Sequence, residues 1–351
     1  MKNLLGLLFL VIGFVACQNP KTAETNRGTI SYSKIIGETM GTTYSLTYSS
    51  DVNYQSAIDS LLVEINAQVN TYDSSSLISS FNTGEMLEMS STSAPHFKMN
   101  YLAAKDIYEV TGGYFDPTVM PLVYYWGFGK RKIAVENADK NKVKELLSTT
   151  GFEKTWMERS KKDTTIYIYK KSLAATQLDF SAIAKGYGVD AVANLLKNND
   201  VENYLVEIGG ETVTKGVNAL GDVWTLGINT PVENANPNSD FKALIQVSNR
   251  AIATSGNYRN YYEVDGKKYA HSINPKTGYP EMSNLLSVSV VMDNCMTADA
   301  YATAFMVMGL EKAWTLANER KEIEAYFIYD DNGEMKVKAT DGFKELIIKE
   351  N

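Results

Sequence analysis

Apolar and polar positions form three successive patterns along the chain. After Lys2, an apolar run from Leu4 to Ala16 is broken only by Gly6 and Gly13 and ends at Cys17. It is shorter than the roughly 20 residues that a bilayer-spanning helix needs. A positive start, a short apolar stretch and small residues before a cleavage point predict a secretory signal over residues 1–16. Residues 18–29 are polar and aperiodic, so 17–30 reads as a flexible tether that begins at the Cys. The mature domain is predicted over 31–351.

A helical period then takes over. Ile58, Leu61, Leu62, Ile65 and Val69 share one face, which predicts a helix over about 54–69. A second helix is predicted from Pro95 to Val110, stopping at Gly112-Gly113. A short surface helix follows over 139–149. Residues 31–49 alternate weakly around Gly37 and Gly41 and predict two strands. Beyond 165, β-branched and aromatic runs predict strands at Ile166–Tyr169, Tyr204–Ile208, Val223–Ile228, Ala243–Val247 and Leu286–Val291. Asp265-Gly266 and Asn332-Gly333 mark hairpins. Helices interrupt these strands at about 181–197 and 296–319. Antiparallel groups of strands with helices between them argue for an α+β fold.

Composition narrows the function. The 351 residues are 44% hydrophobic and 21% charged, which excludes wholesale disorder. A net charge of −7 gives no basic footprint for a nucleic-acid backbone. Two Cys and two His exclude a zinc-finger array or a disulfide scaffold. Phe14-Val15-Ala16-Cys17 resembles a bacterial lipobox, with Phe14 where Leu is usual, and this makes Cys17 the lipidation site. Cys295 is then left without an intramolecular partner. Among Val291, Met292 and Met296 it is expected to be a buried, inert thiol.

Four clusters are dense in Gly, Asp and hydroxyl residues: Glu38 to Tyr44, Gly112 to Thr118, Leu178 to Asp190, and His271 to Gly278 taken with Thr297 to Ala304. Each alone has a plain structural reading. Met40-Gly41-Thr42-Thr43 reads as a turn into a strand, and Asp116-Pro117 or Asp179 as a helix cap. The third cluster departs most from a plain helix start. Gly186 and Gly188 lie early in a helix, where each costs about 1 kcal/mol relative to Ala. Close approach to backbone or ligand would explain them. Lys185 adds a cation near a helix N-terminus that already attracts phosphate. In the fourth cluster Asp299 and Thr303, spaced i, i+4, form a sparse set of hard oxygens suited to magnesium shared with phosphates. The alternative is a cap at Asp299 and a back-bonded Thr303.

In this order and spacing the clusters resemble the ApbE family, the FAD:protein FMN transferases, over about residues 31–348. Ser79-Ser80-Phe81-Asn82, Val206-Glu207-Ile208-Gly209-Gly210 and Thr254-Ser255-Gly256 extend the resemblance. It implies two related α+β halves with mainly antiparallel sheets flanked by helices. It also implies transfer of FMN from the substrate FAD to a Thr hydroxyl of an acceptor protein, with AMP leaving. By position, Met40, Tyr72, Tyr114, Phe115, Asp116, Asp179, Lys185 and Ile273 are the implied flavin contacts. Asp299, Thr303 and the carbonyl of Ala182 are the implied magnesium site. Some relatives carry a further Asp where this chain has Ala302, which leaves one carboxylate fewer for the metal. Lys185 and His271 are the implied catalytic pair. His271 suits the proton transfer that a Thr hydroxyl needs, and a nearby Asp competes for that role.

The resemblance further implies acceptors among membrane redox subunits of the sodium-pumping quinone reductase or Rnf type. The location it implies is extracytoplasmic and lipid-anchored to a bacterial membrane, the periplasmic face of the inner membrane being preferred and the outer membrane the alternative. An FAD pyrophosphatase using water as nucleophile would employ the same residues. A non-catalytic flavin-binding lipoprotein would need no metal. An older reading of the family, in thiamine biosynthesis, is disfavoured by the extracytoplasmic address.

Overall fold

The computed structural model describes residues 31–351 except 91, 128–134, 233–235, 237–238, 258–260, 265–266 and 271, and gives backbone alone at 261–264 and 267–270. The chain begins with β1 (Ser33–Thr39), β2 (Thr42–Tyr48), α1 (Gln55–Val69), α2 (Leu77–Thr83), β3 (Met86–Ser90) and α3 (Pro95–Val110). Next come α4 (Met120–Trp126), α5 (Lys140–Leu147), β4 (Thr155–Arg159), β5 (Ile166–Lys171) and α6 (Ala184–Asn198). β6 (Tyr204–Ile208), β7 (Glu211–Lys215), β8 (Thr225–Asn229), β9 (Phe241–Gln246), β10 (Arg250–Gly256), β11 (Tyr261–Val264) and β12 (Lys267–Ala270) follow. The last elements are β13 (Leu285–Met292), α7 (Cys295–Met308), α8 (Leu310–Glu319), β14 (Glu324–Asp331), β15 (Glu334–Ala339), α9 (Asp341–Leu346) and β16 (Ile347–Glu350).

The main sheet has eight strands in the order β1-β2-β6-β7-β10-β13-β14-β15. Every neighbouring pair is antiparallel. The order divides between β7 and β10. On one side β1 and β2 are followed, across α6, by β6 and β7. On the other, β10 and β13 are followed, across α7, by β14 and β15. In the main sheet each half is therefore two strands and then a hairpin, with α6 leading into one hairpin and α7 and α8 into the other. This topology supplies the two related halves, which no sequence repeat betrayed.

Burial explains the strand patterns. β2 buries Tyr44, Leu46 and Tyr48 on one face and alternates with Ser45 and Thr47. α6 and α7 pack on each other and on that face of the sheet. The β10–β14 side is covered on both faces. Ala251, Ala253, Val288, Val290 and Phe327 join the main core under the helices. Ile252, Val291, Tyr326 and Ile328 join a second core with Ala243, Ile245 and Phe343. A small sheet, β16-β9-β8, supplies much of that second core. β13 is buried at seven of its eight positions, although Ser287 and Ser289 interrupt its apolar residues.

Most predicted elements are present close to their predicted bounds. Asn332-Gly333 forms a two-residue hairpin turn with both φ values positive, +57° and +89°. β11 and β12 pair on either side of Asp265-Gly266, which lies outside the described residues. The helix predicted over 296–319 is two helices, because Gly309 takes a φ of +73° between α7 and α8. No described helix is long and apolar enough to cross a membrane.

Candidate active site

The site grows from the place where α6 and α7 begin side by side. A Cβ on Gly186 would stand 2.4 Å from the carbonyl oxygen of Cys295, so only glycine lets the two helices approach this closely. The partner that demands this glycine is backbone. Gly188 has a different reason, since its missing Cβ leaves room for the Met40 thioether and Ile208.

Each helix then supplies a carboxylate to the other's N-terminus, where the first N–H groups lack intrahelical partners. Asp190 of α6 accepts from the N–H of Cys295 and of Met296, both at 2.8 Å. Asp299 of α7 accepts from the N–H of Gly186 at 3.0 Å. Burial pushes the Asp190 carboxyl up to about 6 against the pull of its two N–H donors, and the charge of Asp299 adds to burial.

Asp299 opens onto a cavity of about 710 Å³, within the range of small-molecule sites. Met40, Tyr72, Tyr114, Phe115, Asp116, Asp179, Ala182, Lys185, Ile273, Asp299 and Thr303 all line it. Every candidate flavin and metal residue of the sequence thus meets in one place. Cys17 and His271 lie outside the described residues; Ser272, the next residue after His271, lines the cavity.

Local geometry explains several of these positions. Met40 sits in the β1–β2 turn with a φ of +51°, unusual for a residue with a side chain. Asp116 does not start a helix at Pro117, as a capping role would require. Its Oδ1 accepts from the N–H and the hydroxyl of Thr118, at 2.8 and 2.6 Å, and α4 begins only at Met120. Burial pushes the Asp116 carboxyl up to about 6, although those Thr118 bonds oppose it. Asp179 accepts from the N–H and hydroxyl of Ser181 at 2.9 and 2.5 Å. Its own N–H donates to the carbonyl of Pro117 at 2.7 Å, tying the second cluster to the third. The hydroxyl of Tyr114 is hydrogen-bonded to Lys312, and Tyr72 is exposed at the rim.

Lys185 is the second residue of α6. Its Nζ lies 2.5 Å from Oε1 of Glu211. Burial alone would lower the ammonium pKa, but the charges of Asp299 and Glu211 hold it above its ordinary value. Glu211 is pushed up to about 7 by burial, with Lys185 opposing and Asp299 adding. Cys295 is buried, as expected, but its surroundings are not simply apolar. Burial, then the carboxylates of Asp190, Glu211 and Asp299, raise its thiol well above the usual range.

The hydroxyl of Thr303 lies 3.2 Å from that of Ser255, on β10. Asp299, Thr303 and Ala182, which carry hard oxygens, all line the cavity. This sparse set fits a magnesium ion that shares phosphate oxygens. Among the described residues no group of three His, Cys, Asp or Glu side chains forms a cation cage. Ala302 is fully buried in the core beneath α7.

Sequence reasoning missed Glu211. Its signal was a carboxylate directly after Gly209-Gly210 between two strand-like runs. Asn229 on β8, also at the cavity wall, carried no signal of its own.

Residues 40–327 match the ApbE family model. The chain is 34% identical to an FAD:protein FMN transferase of Haemophilus influenzae, over 99% of both chains. It resembles the solved flavin transferase ApbE of Vibrio cholerae with a TM-score of 0.77 and 34% identity, covering 90% of this chain and 100% of that one. The apo form of the Pseudomonas stutzeri flavinyl transferase ApbE matches with a TM-score of 0.77 and 30% identity, over 90% of this chain and 96% of that one. With its clusters gathered in one cavity and its fold shared along nearly its whole length, the chain belongs to the ApbE family.

Proposed function

We propose that the chain transfers the FMN half of FAD to a Thr hydroxyl of an acceptor protein and releases AMP, with magnesium at Asp299, Thr303 and Ala182. One observation carries the reading: a single cavity gathers the aromatic side chains Tyr72, Tyr114 and Phe115 together with Lys185, Asp299 and Thr303. A dinucleotide with a flat ring and a pyrophosphate suits that lining. The curated relatives' name, FAD:protein FMN transferase, supports it.

In the reaction the Thr oxygen bonds to the phosphorus of the FMN half. The pyrophosphate P–O bond breaks, and AMP leaves with the electron pair. Catalysis of this kind rests on positioning and on neutralising charge. Lys185 lines the cavity and would face the phosphates there. A bound magnesium ion would add positive charge at the same oxygens. The hydroxyl proton passes to His271, with Asp116 and Asp179 as the competing acceptors.

Incubation with FAD, magnesium and a candidate acceptor, followed by in-gel flavin fluorescence, tests this. Fluorescence on the acceptor supports transfer. Free FMN alone makes the chain a pyrophosphatase, and bound FAD without product makes it a binding protein. The proposed acceptors are subunits of the sodium-pumping quinone reductase or Rnf type, met at the periplasmic face of the inner membrane. Cys17 carries the anchoring lipid. Cys17→Ser should leave precursor or released soluble protein, and a lipidated, membrane-bound Cys17→Ser product would refute the anchor.

A further inference from the structure

Glu211 stands at the cavity floor and is 4% exposed. One carboxylate oxygen pairs with Lys185 at 2.5 Å. The other, Oε2, is buried without a hydrogen-bond partner among the described residues. Buried unpaired acceptors are costly and rare, so each one calls for a reason. The preceding turn is also built around this pair. Gly209 has a φ of +64°, and a Cβ there would meet Thr42 at 2.9 Å and the Lys185 stem at 3.4 Å.

The reason lies in what Lys185 would otherwise do. Asp299 accepts from the N–H of Gly186, the residue after Lys185, and lines the same cavity, yet among the described residues Lys185 makes its ion pair with Glu211 and none with Asp299. A lysine head on a flexible stem settles on the nearest free carboxylate. We propose that Glu211 is a positioning residue that holds the Lys185 ammonium off Asp299, so that the Asp299 carboxylate stays open for a divalent cation. This rests on the reading of Asp299 as a cation ligand. It explains how one charged ligand serves in a chain that has Ala302 where a second carboxylate could stand. It also keeps the ammonium beside the cation, where both act on one phosphate.

The test uses Mn²⁺ binding, read by electron paramagnetic resonance on the protein with inorganic pyrophosphate present to supply the phosphate oxygens that the sparse site shares. Glu211→Gln keeps the shape of the side chain and removes its charge. Lys185 then moves to Asp299, and Mn²⁺ affinity falls at least tenfold. Adding Lys185→Met to that variant removes the competing ammonium and returns Mn²⁺ affinity to within about threefold of wild type. Such rescue by a second loss is not the behaviour of a residue that only supports the fold. Unchanged Mn²⁺ affinity in Glu211→Gln overturns the proposal. So does a double variant as weak as Glu211→Gln alone, or weaker. Melting temperatures within a few degrees of wild type certify folding, and the double variant supplies a second reading if Glu211→Gln alone melts early. A wild type that binds Mn²⁺ but labels no acceptor would sink the flavin-transfer reading and leave this one standing. A wild type that binds no Mn²⁺ would sink both.

Discussion

The two halves of the main sheet place an aspartate in equivalent seats and use them differently. Asp190 gives both carboxylate oxygens to the first N–H groups of α7. Asp299 gives one oxygen to Gly186 of α6 and lines the cavity. Four residues beyond Asp299 stands Thr303, also in the cavity, whereas four residues beyond Asp190 stands the exposed Asn194. The frame is reciprocal and the chemistry is one-sided. A duplicated scaffold satisfies two helix ends with two carboxylates, and among the described residues only Oδ2 of Asp299 accepts a hydrogen bond, which leaves its other oxygen for a ligand.

The largest effect should follow from Asp299→Asn. The amide still accepts from Gly186, so the fold stays, but the charge that the proposed cation needs is gone. Transfer should fall below detection in the presence of magnesium. Unchanged transfer by this variant would remove the cation site from Asp299.

His271→Ala should come next. As proton acceptor for the attacking hydroxyl, its loss should lower the single-turnover rate about 10²- to 10⁴-fold and leave FAD affinity close to wild type. The wild-type rate should rise with pH through the imidazole pKa, and the variant should lose that rise. Equal losses in binding and rate would move the base to Asp116 or Asp179.

Gly186→Ala strikes both halves at once. Its Cβ would meet the Cys295 carbonyl, which cannot yield as a side chain could. Overpacking of this kind costs about 1–3 kcal/mol, and denaturant melts should show it. Transfer should fall as Asp299 shifts with α7. A stable, fully active Gly186→Ala protein would mean that the two helices part without consequence.

Asp190→Asn should change transfer least, although its amide nitrogen opposes one of the two N–H donors and so loses that hydrogen bond. Because the folded carboxyl titrates near 6 against an ordinary 3.8, the folded protein keeps a proton that the unfolded chain has lost between those values. That contribution to stability is full below the unfolded pKa and is lost as pH rises through 6. The variant should therefore show a flatter stability profile between about pH 4 and 6 in urea melts. Identical slopes in the two proteins would contradict the raised value.

The sequence made the helix faces, the paired hairpins and the cavity residues legible for different reasons. Ile58, Leu62 and Ile65 announce a helix because burial imposes the 3.6-residue period. Met40, Asp116 and Asp299 were found because their clusters resemble a family, not because a short motif points to a pocket. Glu211 was missed because its role comes from a contact with Lys185 on another element. The break at Gly309 was hidden inside a helical pattern that continues on both sides. The two halves came from the family resemblance and not from periodicity, because they share topology without visible sequence repetition.

The most direct measurement compares Asp299→Asn and Asp190→Asn side by side in one assay. FAD, magnesium and an acceptor are supplied, and acceptor-bound flavin and released AMP are followed in a single turnover. Asp190→Asn should label the acceptor within about tenfold of the wild-type rate, with one AMP released for each flavin attached, and Asp299→Asn should yield neither product. Equal rates in the two variants would contradict a one-sided site.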